Sequence, residues 1–327
     1  MLAYAGRRLG YYAVLLVVAT FLSYLLAAAA LAPRGYFEAK HPRPAAASVD
    51  RELTHLGIND RTPLPDRFGH WAGHAVRGDL GRTIDDTPVN DEFGRRIGVS
   101  LRLLLVGTLV GTAAGILVGA WGAVRQYRAS DRVVTVLSFV VLSMPTFLIA
   151  VLLKIGAIKL NSLLGYDLLQ FTGQSTPDMS GGFLAHVRDD AVHLVLPTLA
   201  IALGTVAAYS RYQRSTMLDV LGADYVRAAM ARGLTRRRAL FKHGLRVALV
   251  PMSTFFAYGF LGLFTGATFT EEIFGWHGMG EWFIDSINRS DVNSVVAVNI
   301  FTAVLVLLSG LLADVLHAAL DPRVRQS

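Results

Sequence analysis

Six apolar runs, each near or above the length of a membrane-spanning helix, constrain this chain more than any other feature. They cover about residues 9–32, 98–122, 132–158, 192–210, 249–270 and 294–317. A hydrocarbon core about 30 Å thick takes roughly 20 apolar residues in a helix. Inside it, every backbone N–H and C=O must find a partner within the protein, which helices achieve segment by segment. The pattern therefore predicts an all-α polytopic membrane protein of about six transmembrane helices. Composition agrees, since only 17% of the 327 residues are charged against about a quarter in an ordinary soluble domain. The first run follows Arg7 and Arg8 and ends in AAAALA, features shared with secretory signals. Its apolar stretch exceeds the roughly 7–15 residues of a signal core, so it reads as a retained anchor.

Lys and Arg concentrate on the cytoplasmic side of membrane proteins. With an inner N-terminus, the inner segments hold Arg7, Arg8, Arg125, Arg128, Arg132, the nine basic residues from Arg211 to Arg246, Arg323 and Arg325. These 16 basic residues face five acids, a net of +11, whereas the outer remainder nets −4. Both termini are thus expected in the cytoplasm, and the overall charge of +7 reflects topology, not nucleic-acid binding. The chain divides into a first helix (1–32), an extracytoplasmic segment (33–97) and a core of five transmembrane helices (98–317). A cytoplasmic loop (211–248) lies within that core, and a cytoplasmic tail (318–327) follows it.

The outer segment is too polar to span, with ten basic and ten acidic residues. Within it, DRFGHWAGHAV (66–76) puts Phe68, Trp71, Ala72 and Ala75 at helical spacing. Such a helix either lies on the spans or offers a docking surface to an outside partner. Pro145 sits inside the third run and Pro197 opens the fourth. Proline removes a donor and kinks a helix, so Ser143, Pro145 and Thr146 are candidates for lining a polar passage; a packing kink with back-bonded hydroxyls is the alternative. Gly259, Gly262 and Gly266 in the fifth run permit close helix packing.

Several chemistries are missing. The four lysines, Lys40, Lys154, Lys159 and Lys242, stand in no phosphate-loop context, and neither HExxH nor GxSxG occurs. Cysteine is absent, which excludes thiolate nucleophiles and disulfides. His70 and His74 are four apart on the outer helix, a possible pair of metal ligands, but no third ligand accompanies them. No catalytic residue, metal site or cofactor is expected. Few charges occur within the spans, which argues against a proton-relay carrier. The chain reads as a conduit with no engine of its own.

The stretch ADYVRAAMARGLTRRRALFKHGLRVALVP (223–251) carries six arginines, one lysine and one acid between two runs. Ala, Met, Arg and Leu favour helix, and Gly233 is placed to stop one. Tyr225, Ala228, Ala229 and Arg232 then share a face, and Thr235 can start a second basic helix. Small residues on such a face admit close approach of another protein's groove. A basic helix lying on the lipid surface is the competing reading.

At this point the residues resemble a family. Ala228, Ala229 and Gly233, followed after a basic helix by Val250 and Pro251, look like the cytoplasmic coupling loop of ABC importer permeases. Arg227 stands where an acid often precedes the alanines, and the gap to Pro251 is long; both features resemble the oligopeptide/dipeptide (peptide/nickel) branch. GDLGRTIDDTPVNDEFGRRIGVSLRL (78–103), HLVLPTLAIALG (193–204), RYQRSTMLDVLGADYVR (211–227), EEIFGWHGMGEW (271–282) and DPRVR (321–325) resemble that branch in order and spacing. The long outer segment is similar to the first permease of the pair.

The resemblance implies a type I ABC importer permease architecture in the cell membrane. Tyr225, Arg227, Ala228, Ala229, Arg232 and Gly233 would dock on an ATPase. The implied partners are a second homologous permease, two ATPase subunits that hydrolyse ATP, an extracytoplasmic solute-binding protein and membrane lipid. Phe68, Trp71, Trp276, Gly278 and Gly280 are candidate contacts for the binding protein. Peptide is the implied cargo, with nickel or another small solute as the alternative. A membrane-anchored sensor or assembly protein is the rival from another class.

Overall fold

The computed structural model describes residues 2–245, 247–249, 251–252 and 267–320. They form α1 (Leu2–Ala30), α2 (Pro33–Glu38), α3 (Ala46–His55), α4 (Leu64–Ala75), α5 (Val89–Val124), α6 (Ala129–Ser143), α7 (Thr146–Leu164) and α8 (Phe183–Leu221). There follow α9 (Asp224–Ala231), α10 (Arg236–Ala239) with a π-helical turn Leu240–Gly244, α11 (267–274), α12 (Met279–Asn288) and α13 (Val292–Leu320). Among the described residues, β pairing is confined to one bridge, Arg82 to Pro88. Among the described residues, five helices are long and apolar enough to cross a membrane: Gly10–Ala30 of α1, α5, α7, α8 and Val292–Leu312 of α13. The run expected at 249–270, with its three glycines, lies mostly outside the described residues, as does the tail from 321.

Two expected features differ. The third run is not one kinked helix. Met144 (φ −96°, ψ 133°) and Pro145 (φ −60°, ψ 143°) are extended, so α6 stops and α7 starts afresh. The proline ring drives the preceding residue out of the α region, and Pro145 then serves as the N-cap of the next helix. Pro197 does not open a helix; it lies inside α8, which begins at Phe183. Polar flanks mark where hydrocarbon ends, but they do not stop a helix.

The chain forms two compact units. The first comprises residues 1–100 and 277–307. Its core joins Tyr24 and Ala27 of α1 with Phe37, Val49, Leu53, Leu56, Ile58, Trp71, Ile84, Val292, Val295 and Val296. Phe68 meets Phe21 edge-on at 4.9 Å, and Trp71 lies 5.2 Å from Tyr24, so α4 lies on α1 through its apolar face. Arg34 joins α2 to α3 and the turn after it, reaching Asp50 at 2.7 Å and Asp60 at 2.6 Å. Its guanidinium holds the Asp60 carboxyl below the usual carboxylate range.

Asp291 caps α13. Its carboxylate accepts from the Ser294 amide at 3.1 Å, the Ser294 hydroxyl at 2.7 Å and the Ile84 amide at 2.9 Å. Asn293 Nδ2 donates to the Leu56 and Arg82 carbonyls at 3.1 and 2.9 Å. The otherwise irregular chain near 56 and 82–84 is thus fixed by two side chains of one helix start.

The second unit comprises residues 101–276 and 308–327. Its central feature is the contact of α5 with α8. Gly107, Gly111, Gly115 and Gly119 recur every fourth residue, which places them on one helix face. A Cβ at each would come within 2.9 Å of Ile201, 2.7 Å of Thr205, 2.6 Å of Tyr209 and 2.4 Å of the Ser210 carbonyl. Without driving force from water, spans pack by such close backbone approach. α6 and α7 also pack on α8. Asn161, near the end of α7, fixes the chain that follows: it accepts from the Leu168 and Leu169 amides at 3.1 Å each and donates to the Leu169 carbonyl at 2.9 Å.

Candidate functional site

Within the 223–251 stretch, α9 is a short helix with its own start, stop and seat. Ala223 is extended (ψ 143°), and Asp224 occupies the first turn of α9, where a negative charge suits the helix dipole. The helix ends at Gly233, with φ +90°, a conformation costly for residues with a Cβ. The Gly233 amide donates to the Met230 carbonyl at 2.9 Å, and the Leu234 amide to the Ala229 carbonyl at 3.3 Å. That pair of bonds is a Schellman stop. Thr235 begins the next helix, its Oγ1 accepting from the Arg238 amide at 3.4 Å.

Val226 and Ala229 point inward, joining Ala123, Met217, Val220, Ala239, Leu240 and Ala248 in one apolar cluster. Leu234 and Met230 close its edge. Gly244, in the π-helical turn, backs onto Val220; a Cβ there would lie 2.8 Å from it. The outward face carries Tyr225, Arg227, Ala228, Arg232 and Gly233, all exposed. Ala229 therefore does not share the open face with Ala228. The grouping expected from sequence is corrected at that residue: Ala229 lies about one turn after Val226, on the face turned toward the cluster. Arg227 pairs with Asp224 in full solvent, a contact of little energetic weight.

Above α9, the lower end of α8 is tied to the turn between α5 and α6. Arg214 donates from Nε to Asp131 Oδ1 at 2.7 Å and from Nη2 to Oδ2 at 2.8 Å. The Tyr127 amide adds a bond to Asp131 Oδ2 at 3.1 Å. Asp131 is buried at 3% exposure. The Arg214 guanidinium holds its carboxyl below the usual carboxylate range, against the opposing effect of burial. Sequence reasoning missed both this pair and the glycine stripe. The stripe was readable as G-x-x-x-G three times over; the pair, 83 residues apart, was not.

The remaining candidates are placed as follows. Ser143 and Pro145 are exposed at the α6–α7 break, with Thr146 half-buried, and the Ser143 hydroxyl donates to the Val140 carbonyl at 2.8 Å. Trp71 is buried and donates from Nε1 to the Leu80 carbonyl at 3.1 Å; Phe68 packs beside it. Trp276, Gly278 and Gly280 are buried too. Of these five candidate contacts for a binding protein, four are buried within the chain and Phe68 is half-buried. His70 and His74 line a cleft of about 480 Å³ with His55, Arg67 and Trp71. Among the described residues, no three His, Cys, Asp or Glu side chains are grouped to hold a metal.

Comparison with known proteins gives this arrangement its context. Residues 111–326 match the family described as binding-protein-dependent transport system inner membrane component. The chain is 54% identical to the "Oligopeptide transport system permease protein OppB" of Mycobacterium tuberculosis, over 100% of both chains. It is 35% identical to the "Oligopeptide transport system permease protein AppB" of Bacillus subtilis, over 86% of this chain and 87% of that one. It is also 34% identical to the "Dipeptide transport system permease protein DppB" of Escherichia coli, over 84% of each. With its long apolar helices, the chain is a multi-pass membrane protein that belongs to the family of binding-protein-dependent transport system inner membrane components.

Proposed function

We propose that this chain is one of two permease subunits of an ATP-driven importer that passes peptides from an extracytoplasmic solute-binding protein into the cytoplasm. ATP hydrolysis belongs to partner subunits, and α9 is the element they grip. The observation that carries this reading is α9 itself: a capped helix, seated on the α5 and α8 ends by Val226 and Ala229, with Tyr225, Ala228 and Arg232 left open. Small and planar side chains on a fixed helix suit a groove, and the arginines suit its acidic rim. Peptide as cargo is supported by the printed names of the relatives. The α6–α7 break, with Ser143 and Pro145 exposed and Thr146 beside them, is the section of wall this chain contributes to the passage.

Closing of the ATPases would bias the spans between inward- and outward-facing arrangements. The test is reconstitution of this chain in liposomes with a second permease, ATPases and a binding protein. ATP-dependent entry of labelled peptide, but not of nickel, is expected. Nickel entry without peptide entry would overturn the cargo assignment, and entry without the ATPases would overturn the mechanism.

A further inference from the structure

We propose that Asp131 and Arg214 form a positioning strut that carries movement of α9 into the α5–α6 turn and so into the α6–α7 wall; this rests on the reading of α9 as the coupling helix. Arg214 lies three residues before Met217, whose side chain is fully buried in the cluster beneath α9. Ala123, at the end of α5, belongs to the same cluster. α9 is therefore seated on two helix ends at once, through apolar contacts that can slide.

The contact between Arg214 and Asp131 has a different character. Both guanidinium bonds are short, 2.7 and 2.8 Å, and the two-pronged geometry fixes orientation as well as distance. Asp131 opens α6, the helix that runs to the Pro145 break. The Tyr127 amide, in a left-handed turn (φ +67°), holds the same carboxylate. Gly122 adds the last constraint: a Cβ there would sit 3.3 Å from Asp131 Oδ1 and 3.7 Å from Arg214 Cδ. Nearby, Ser138 and Ser210 meet at 3.4 Å, and Arg211 stacks 3.6 Å from the Phe139 ring centre, so α6 follows α8 along its lower half. With Asp131 buried and Arg214 half-buried, such an ion pair is weak evidence for stability and better suited to fixing one arrangement. Here it locks the first inner turn to the arm bearing α9.

The test uses the reconstituted complex and compares Asp131→Asn, Arg214→Lys and Ala228→Glu with the wild type. Three quantities are read: ATPase co-purification, ATP hydrolysis rate, and peptide delivered per ATP hydrolysed. Asp131→Asn is expected to keep the ATPases and their hydrolysis while peptide per ATP falls about fivefold or more, the lower end of measured site-to-site couplings. Arg214→Lys keeps the charge, loses the two-pronged geometry and should fall in between. A purely architectural pair would lower the yield of complex without moving the ratio. The proposal is overturned if both variants keep the wild-type ratio, or if neither assembles. Ala228→Glu tests the underlying reading separately: if it retains the ATPases, α9 is not the coupling helix. If it releases them while both strut variants stay fully coupled, the strut alone is wrong.

Discussion

Glutamate placed at Ala228 and at Ala229 should produce two different failures, although the positions are adjacent. Ala229 is 8% exposed and packs with Val226 and Met217, exposed by 1% and 0%. A carboxylate there enters an apolar cluster in which Val226, Met217 and Leu240 offer it no partner. Leaving a buried charge uncompensated costs about 3–5 kcal/mol. Some of that is recovered if the longer side chain bends out toward solvent, so about 3 kcal/mol is the working figure. This equals roughly a hundredfold shift in the seating equilibrium of α9. Ala228 is exposed, and glutamate has nearly alanine's helix propensity, so Ala228→Glu should leave the chain within about 0.5 kcal/mol of wild type.

The assay pairs thermal unfolding of the detergent-purified chain with pull-down of the ATPase subunit. Ala229→Glu should lower the unfolding temperature and ATPase capture together. Ala228→Glu should abolish capture at unchanged stability. Equal stability of the two variants would refute the inward assignment of Ala229. Gly233→Ala provides an internal standard: its Cβ meets nothing within 4 Å, so it should show only the backbone cost of φ +90°, about 1 kcal/mol.

Other predictions concern the spans and the charges. Gly119→Ala would place a Cβ 2.4 Å from the Ser210 carbonyl, whereas Gly204→Ala meets open space; the first should lose about 1–3 kcal/mol by overpacking and the second almost none, read by thermal unfolding. The folded state holds the Asp131 carboxyl below its ordinary 3.8, so the unfolded chain takes up that proton first as pH falls. The stability difference between wild type and Asp131→Asn should then be constant above about pH 5 and shrink as pH falls below 3.8, measured by chemical unfolding. Reporter fusions after Arg128 and Gly233 should report the cytoplasm, and those after Thr62 and Gly173 the outside; an outside signal at Gly233 would remove α9 from the reach of any cytoplasmic ATPase.

The sequence by itself determined the helical membrane class and the stop at Gly233, and it supplied the charge count and the small-residue spacing on which the proposed orientation and coupling role rest. All four are local: a run of apolar residues, a count of arginines, a spacing of small residues, a residue without Cβ. The G-x-x-x-G stripe in α5 was equally local and could have been read. Tertiary structure decided which side of each helix is used. Trp71 and Trp276 could have been docking surface or core, because an aromatic ring suits either; α1 covers the first, and the second is 1% exposed. Ala228 and Ala229 are chemically identical, and only the cluster at Met217 and Val220 separates the open one from the seated one. Pro145, which is exposed, ends one helix and starts another, while Pro197, which is buried, stays inside α8. The Asp131–Arg214 pair lay beyond any local pattern, since its energy arises only when the fold brings together two charges 83 positions apart and buries the carboxylate.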